Sequence, residues 1–257
     1  ETRAPDLLAG IVRPDDRDDA RSALPSFERT AREHGIRCAV AFDRDDAWEE
    51  LIRLGPDVVI VCGWYSVIPV LRFPRTELYG LHAGPLPKYR GGAPIVWQII
   101  NDEDRIGSSL FRLAPRPDAG DVVDQDSVPL GPLETVADAI VRIEDLAVRI
   151  VRANLHDLVA GTARHAPQDH AEATTFPQRR PSDGLIDWSS PSERVHDFIR
   201  AQTAPYPGAF TRLLDGRIVR VWRSEPVAAS GRPGHVIAED DGRMILRCGE
   251  GSVRILA

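Results

Sequence analysis

Residues 81–97 carry the sequence LHAGPLPKYRGGAPIVW, and the rest of the chain can be interpreted outward from this stretch. It places His82 at the end of an apolar run and three glycines and three prolines within the thirteen residues from His82 to Pro94. Proline fixes φ and glycine allows conformations that other residues avoid, so this composition predicts a rigid, specifically shaped loop. Such a loop is typical of a segment that positions a reactive side chain.

Three segments around this loop have the composition of buried strands. They are short apolar runs, and the first is rich in β-branched residues, which favours strands in a sheet. They are 57–62 (DVVIVC), 78–82 (LYGLH) and 106–113 (IGSSLFRL). In open α/β sheets, ligands lie beyond the carboxyl ends of the strands, so the residues that end or follow these segments are candidate site residues.

His82 ends the second of these strands, and the third leads into a loop with two carboxylates, Asp118 and Asp121. A carboxylate beside an imidazole fixes its tautomer and suits it to take a proton from an amine near neutral pH. Taken singly, a histidine at a strand end is more often structural than catalytic, and an Asp-x-Gly-Asp segment is more often an ordinary turn.

The first 160 residues alternate between strand-like and helix-like segments. Strands are predicted at 6–12 and 36–40, and helices at 25–35, 45–54, 93–101 and, as a long amphipathic helix, 135–161. This order predicts an α/β domain with a Rossmann-like, mostly parallel sheet.

The pattern changes after residue 172. Residues 172–190 contain two prolines and Gly184 and predict a linker, and 191–202 predicts a short helix. The segments that follow are short strands separated by Asp-Gly and Glu-Gly turn signals, which predict a small antiparallel barrel. These strands are expected at 210–214, 218–222, 234–237, 243–248 and 252–256.

Taken together, the motifs resemble one family. The spacing His82-x-x-x-Leu-Pro-Lys-Tyr-Arg-Gly-x-Ala-Pro, followed 36 residues after the histidine by Asp118-x-Gly-Asp, is similar to the formyltransferases that use 10-formyltetrahydrofolate. That family includes methionyl-tRNA and amino-sugar formyltransferases. Residues 183–188 (DGLIDW) and 205–211 (PYPGAFT) resemble the family's linker and second-domain entry, so the resemblance covers nearly the whole chain.

The resemblance implies three regions. They are a catalytic domain at 1–175, a linker and helix at 176–204, and an OB-like domain at 205–257. It also implies a strand and a helix ahead of residue 6, and leaves open whether they precede the printed sequence or are absent from the protein.

The resemblance further implies a ternary mechanism, in which an acceptor amine attacks the formyl carbon and tetrahydrofolate leaves. His82 and Asp118 match the family's catalytic histidine and aspartate. The family's asparagine, which donates to the oxyanion, would lie two residues before the histidine, where this sequence has Gly80. Removing one such donor typically costs about 100- to 1000-fold in rate.

Gly80 leaves three alternatives open. A protonated His82, a backbone N–H or a water takes the place of the donor; or the chain catalyses altered one-carbon chemistry such as formyl hydrolysis; or it binds folate without catalysis. Formyl transfer is the main interpretation, because a chain without catalysis has no chemical reason to keep both His82 and Asp118 at the positions that match the family.

Binding residues follow from the same resemblance. Trp64, Tyr65, Ser66, Val67 and Ile68 match the loop that lines the family's pterin pocket, and aromatic and aliphatic side chains suit a flat heteroaromatic ring. A connection that faces the core is the alternative interpretation.

Basic residues near the motif supply the other assignments. Arg116, with Pro117, is predicted to contact the formyl donor, and Lys88, Arg90 and Arg112 are predicted to bind a phosphate or carboxylate of the acceptor. A solvated face or an internal ion pair is the alternative for the arginines. Two histidines of the later polar segment, His165 and His170, are expected to be solvated.

Composition narrows the class of protein. At 257 residues the chain is long enough for one large and one small domain. No apolar run approaches the about 20 residues that a membrane span needs, and the start lacks the pattern of a secretory signal. The cysteines, Cys38, Cys62 and Cys248, are expected to be reduced core thiols of a cytoplasmic protein, and no cluster has zinc-ligand spacing.

The charge distribution indicates which kind of acceptor substrate the protein uses. The formal net charge is −7, and from Tyr206 onward eight arginines accompany six acidic residues. The turn after the first strand is acidic, with Asp15, Asp16, Asp18 and Asp19, where tRNA-acting relatives tend to have a basic insertion. Because a phosphate backbone requires a concentrated positive patch, the predicted acceptor is a small amine, such as an amino-sugar nucleotide or an amino acid derivative. Methionyl-tRNA is less favoured, and a homodimer is left open.

Overall fold

The structure is a computed structural model that describes residues 8–18, 22–64, 66–228, 231–240 and 242–257. Its helices are Leu24–His34 (α1), Arg44–Leu54 (α2), Pro94–Ile100 (α3), Val136–Ala160 (α4) and Ser192–Arg200 (α5). Its strands are Ile11–Pro14 (β1), Cys38–Ala41 (β2), Val58–Cys62 (β3), Glu77–His82 (β4), Arg90–Gly91 (β5), Arg105–Arg112 (β6), Val122–Pro129 (β7), Thr175–Phe176 (β8), Ala209–Arg212 (β9), Ile218–Val221 (β10), Ser224–Val227 (β11), Val236–Asp240 (β12), Arg243–Arg247 (β13) and Ser252–Ile255 (β14).

The chain divides into two compact units, residues 1–79 and 80–257, and the division falls inside β4. This division differs from the three regions that the sequence predicts, which therefore stay a prediction. Among the described residues, no helix combines the length and the apolar character that a membrane crossing requires.

The first unit is a strand and helix alternation. β1 and β2 pair in parallel, with Ile11 opposite Cys38. Helix α2 begins after Asp43, whose carboxylate accepts from the N–H of Asp46, and ends at Gly55 with φ +58°. An aspartate and a glycine are favourable at these two ends, since a carboxylate satisfies a free N–H and glycine adopts the left-handed conformation easily.

The second unit begins with the end of β4 and continues through the α/β part. β6 pairs antiparallel with β7, with Ile106 opposite Val128, and α4 packs against both strands. Helix α4 starts with a reciprocal capping box between Thr135 and Asp138. Its buried stripe includes Ile143, Leu146, Ile150 and Leu158, as the amphipathic pattern predicts.

The C-terminal β-domain has its own apolar core. β9 pairs with β10, and a second sheet has the order β11-β14-β13-β12. Helix α5 contributes to the core, which is built by Ile186, Val195, Ile199, Ala209, Val221, Cys248 and Val253. The predicted fold class, an α/β domain followed by a small β-domain, is confirmed.

The linker between the two parts is fastened by Arg179. Its guanidinium lies over the rings of Trp97 and Phe198, at 4.9 and 5.3 Å from the ring centroids. It also donates to the side chain of Gln202 and to the carbonyl of Asp183. Cation–π contacts with two rings from different helices hold this segment against both of them.

The cysteine prediction holds for one residue and is wrong for another. Cys248 is buried in the β-domain, Cys38 is half-buried, and Cys62 is exposed. Cys62 is the last residue of β3, where the strand leaves the sheet, and this explains why an apolar run ends in an exposed thiol.

Candidate active site

His82 is placed by the carboxyl end of β4. Its side chain is 8% exposed, and its carbonyl accepts from the hydroxyl of Ser108 on β6 at 3.2 Å. The ring of Phe111 meets the imidazole edge-on, with 6.5 Å between centroids. Residues of β6 therefore contact both the backbone and the ring of His82.

The hydrogen bond of the His82 ring identifies the nitrogen available for chemistry. Nε2 lies 2.7 Å from the carbonyl oxygen of Tyr89. A carbonyl oxygen only accepts, so Nε2 carries a proton, and in the neutral ring Nδ1 carries the lone pair. Nδ1 faces Asp118, whose Oδ2 lies 3.9 Å away. Nδ1 is thus the atom that can take a proton, and Asp118 stabilises the imidazolium that results.

The loop from Pro85 to Gly91 holds the Tyr89 carbonyl in position. The N–H of Lys88 donates to the carbonyl of Pro85, and the N–H of Tyr89, which has φ +58°, donates to the hydroxyl of Thr174. The Tyr89 hydroxyl bonds Glu103, and burial together with this bond raises the pKa of Tyr89 to about 12. The Tyr89 side chain therefore remains neutral and serves as an anchor.

Asp118 is held in a conformation that is unusual for a residue with a side chain. Its φ is +53°, and its Oδ2 accepts from the N–H of Gly91 at 2.8 Å. The turn around it is closed by the N–H of Arg112, which donates to the carbonyl of Asp121 at 2.8 Å. Left-handed backbone carries a free-energy cost at a residue with a Cβ, which aspartate and asparagine bear more readily than other residues, and these contacts hold Asp118 in it.

Gly120 is required for this turn. A Cβ atom at this position would lie 1.8 Å from the carbonyl oxygen of Arg112, which no side-chain movement can relieve. Gly120→Ala is expected to displace Asp118 and to lower kcat by about 100-fold, since a shift of about 1 Å in a catalytic group has effects of this size.

The control for this variant is Gly131→Ala, because a Cβ there meets only the flexible carboxylate of Glu134 at 3.2 Å. Steady-state turnover of both variants is the measurement. A Gly120→Ala protein with wild-type kcat would show that the position of Asp118 does not matter.

The surroundings of Gly80 leave little room for a side chain. It is buried in β4, and a Cβ added there would lie 2.7 Å from Cε1 of Phe111 and 2.8 Å from Cδ2 of Leu113. The space that the family's asparagine would need is therefore filled by an aromatic ring and a leucine. The absence of the amide donor is accompanied by apolar side chains that occupy the space beside Gly80.

Arg90 has an internal set of partners. It is 2% exposed, and its Nε and Nη2 donate to Oε1 of Gln168 at 3.2 and 2.6 Å. Nη2 also lies 2.9 Å from Nδ1 of His170. His170 is exposed, as expected, but it also forms this contact with Arg90. Burial lowers the pKa of Arg90, and the nearby positive charge of Arg116 lowers it further, against an opposing effect of Asp118.

Gln168 is a site residue that the sequence does not reveal. Its Nε2 donates to the carbonyl oxygens of Asp118 at 2.9 Å and Gly120 at 2.6 Å. Its segment is polar and aperiodic, which predicts a solvated loop, and its partners lie 48 to 78 residues away along the chain. No local signal could have identified it.

The other predicted site residues are more dispersed. Lys88, Arg112, Arg116 and Pro117 are exposed in the second unit. Their assignments to donor or acceptor stay predictions, as does that of Arg90.

The predicted pterin loop belongs to the first unit. There Trp64 packs on Trp48, with 5.0 Å between ring centroids; Ser66 and Ile68 are half-buried, and Val67 is exposed. Tyr65 lies outside the described residues. The donor-binding assignment of this loop stays a prediction.

The sequence is similar to known protein families and to known proteins. Residues 13–155 match the family model described as formyl transferase, and residues 179–257 match the formyl transferase C-terminal domain. The methionyl-tRNA formyltransferase of Geobacter metallireducens is 30% identical over 259 aligned residues, which cover 98% of this chain and 83% of that protein.

Solved structures share the fold. HypX from Aquifex aeolicus in complex with tetrahydrofolic acid superposes with a TM-score of 0.72 at 24% identity, covering 96% of this chain and 43% of that chain. WlaRD, a sugar 3N-formyl transferase crystallised in the presence of dTDP and 5-N-formyl-THF, superposes with a TM-score of 0.71 at 17% identity, covering 96% and 86%. The present chain thus spans less than half of HypX. It belongs to the formyl transferase family and is a one-carbon group transferase, as its sequence predicts.

Proposed function

We propose that this protein transfers the formyl group of 10-formyltetrahydrofolate to the amine of a small molecule. The observation that carries the proposal is the arrangement of His82, with Nε2–H engaged by the Tyr89 carbonyl and Nδ1 facing Asp118. A base whose protonated form is stabilised by a fixed carboxylate suits the removal of a proton from an attacking amine.

The side chains of this site would act in sequence. His82 Nδ1 takes a proton as the amine nitrogen bonds to the formyl carbon, and Asp118 stabilises the imidazolium during that step. His82 then returns the proton to N10 of the donor as the bond between N10 and the formyl carbon breaks. The products are a formamide and tetrahydrofolate, and the proton count is balanced.

The oxyanion is the unusual part of this mechanism. Phe111 and Leu113 fill the space beside Gly80, so a side-chain amide does not donate from that position. The imidazolium of His82, a backbone N–H or a water supplies the stabilisation instead. A less stabilised oxyanion predicts slower turnover than in relatives that have the amide, by up to about 100- to 1000-fold.

The side chains of the predicted pterin loop support 10-formyltetrahydrofolate as the formyl donor. Trp64, Ser66, Val67 and Ile68 offer an aromatic ring, a hydroxyl group and two aliphatic side chains, a set that suits a flat ring with polar edges. Two structural relatives were crystallised with tetrahydrofolic acid or 5-N-formyl-THF, which adds to this support.

Charge favours a small acceptor over a tRNA. Of the arginines in the C-terminal β-domain, Arg217 and Arg254 form ion pairs with Asp215 and Glu225. With a net charge of −7 for the whole chain, a strong attraction to a phosphate backbone is not expected. An amine on a sugar nucleotide or an amino acid derivative fits this charge distribution better.

Methionyl-tRNA is the second candidate acceptor. The observation in its favour is the match along 98% of the chain to a methionyl-tRNA formyltransferase at 30% identity. The sugar N-formyltransferase WlaRD is less similar in sequence, although it has the same fold.

An acceptor panel separates the two candidates. The protein is incubated with 10-formyltetrahydrofolate and, in parallel, a dTDP-linked amino sugar, an amino acid ester and methionyl-tRNA, and the mass of each acceptor is followed. We expect a small amine to gain the mass of one CO unit. Formylation of methionyl-tRNA alone would establish the second candidate and overturn the proposed acceptor class.

A further inference from the structure

We infer that Gln168 is a positioning residue, which holds Asp118 against His82 and is itself held by Arg90. The inference rests on the proposed function for its catalytic consequence, although its structural consequence can be tested separately. It gives Arg90 a role inside the protein, and the acceptor contact that the sequence suggests for Arg90 stays a separate prediction.

The amide of Gln168 can take only one orientation. Its Oε1 accepts from Arg90 Nε and Nη2, and its Nε2 donates to the carbonyl oxygens of Asp118 and Gly120. An arginine has no acceptor and a carbonyl oxygen has no donor, so a flipped amide would lose all four bonds. With 9% exposure, Gln168 has little access to water that could replace them.

The two carbonyl groups that Gln168 binds flank the strained part of the turn. Asp118 has φ +53°, and Gly120 is pressed against the carbonyl of Arg112. A backbone conformation of this kind is retained only when several contacts require it. Gln168 provides two of these contacts on the backbone, and the N–H of Gly91 provides another on the carboxylate.

Three consecutive residues therefore hold both catalytic groups. The carbonyl of Tyr89 fixes the His82 ring, the side chain of Arg90 fixes Gln168 and through it the Asp118 backbone, and the N–H of Gly91 fixes the Asp118 carboxylate. β5 pairs with β8, so the backbone of Arg90 and Gly91 is itself anchored. The contact with Gln168 accounts for the burial of Arg90 in this loop.

The test uses Gln168→Leu with Gln202→Leu as its matched control. Gln202 is also buried, at 6% exposure, accepts from an arginine and donates to a carbonyl, but it lies in the linker and helix region. Both variants lose a buried glutamine with the same kind of partners. Gln168→Glu, which keeps an acceptor for Arg90 and loses the two donations, serves if the leucine variant does not fold.

The first readout requires no turnover. Exchange of the Gly91 amide proton, measured by NMR, reports the bond to Asp118, and we expect it to become about tenfold faster in Gln168→Leu and to be unchanged in Gln202→Leu. Unchanged Gly91 exchange in both Gln168 variants would overturn the inference, whatever the protein's reaction is.

The second readout is catalytic. Gln168→Leu is expected to lower kcat by about 100-fold with little change in the KM for the donor, and Gln202→Leu to leave kcat near wild type. In an Asp118→Ala background, Gln168→Leu should lower kcat by less than about threefold, because a residue that acts through Asp118 has nothing left to position. Full additivity of the two changes would contradict the inference. A wild-type protein that formylates no amine would refute the proposed function, and the exchange readout would still decide the positioning role.

Discussion

His82→Ala is expected to lower kcat for formyl transfer by about 1000-fold while leaving the affinity for 10-formyltetrahydrofolate near that of the wild type. Removal of a general base commonly costs about 100- to 10,000-fold. The effect is expected near the middle of that range because Nδ1 is the one ring nitrogen not engaged by a backbone group. Single-turnover rates and donor binding by fluorescence titration are the two measurements.

A second buried histidine provides the control. His196 is 6% exposed, and its Nε2 bonds the carbonyl of Pro132 at 2.9 Å, in the same manner as His82 bonds Tyr89. His196→Ala should therefore lower the free energy of unfolding comparably and leave kcat near wild type. If His82→Ala turned over at the wild-type rate, the assignment of His82 as the base would be wrong.

Gly80→Asn is expected to lower the stability of the protein and not to restore a faster rate. The new Cβ would approach Phe111 and Leu113 to less than 3 Å, so one side chain or the strand must move. Overpacking of this kind costs about 1–3 kcal/mol, and each kcal/mol corresponds to a fall in Tm of about 2–4 °C for a chain of this size. Thermal unfolding and turnover of the same preparation test both parts.

Two further variants sharpen this prediction. Gly55→Asn should cost less than Gly80→Asn, because a Cβ at Gly55 meets only the Ile52 carbonyl oxygen at 3.9 Å and asparagine adopts a φ near +58° more readily than most residues. Gly80→Asn combined with Leu113→Ala should regain part of the lost stability, since one of the two contacts is removed. A single Gly80→Asn protein with wild-type Tm and a higher rate would mean that Phe111 and Leu113 give way without cost and that the site lacks only its donor.

The sequence predicts the helices and the strands with clear apolar patterns, because local periodicity and capping signals determine them. Strand β11 is the instructive exception. It contains Ser224, Glu225 and Pro226, which do not read as a strand, yet it pairs with β14 at the edge of its sheet, where a proline is tolerated. The sequence likewise does not predict strand β7, because Asp124, Gln125 and Asp126 stand between its apolar ends.

The sequence also predicts only part of the candidate site. The motif identifies His82 and Asp118, which the structure places 3.9 Å apart at their nearest nitrogen and oxygen. It cannot show that Phe111 and Leu113 fill the space beside Gly80, nor that Gln168 reaches Asp118, because these contacts join residues 31 to 50 positions apart. Contacts between side chains and backbone from distant segments leave no periodic trace in a sequence.

The most direct test of formyl transfer follows the fate of an isotopically labelled formyl group. The wild-type protein is incubated with formyl-labelled 10-formyltetrahydrofolate and the best acceptor amine, and label in the formamide is compared with label in free formate. The proposed function predicts that the label appears in the formamide in step with tetrahydrofolate release, and that His82→Ala abolishes both. Label in formate alone, at the same rate with and without the amine, would contradict it and establish hydrolysis.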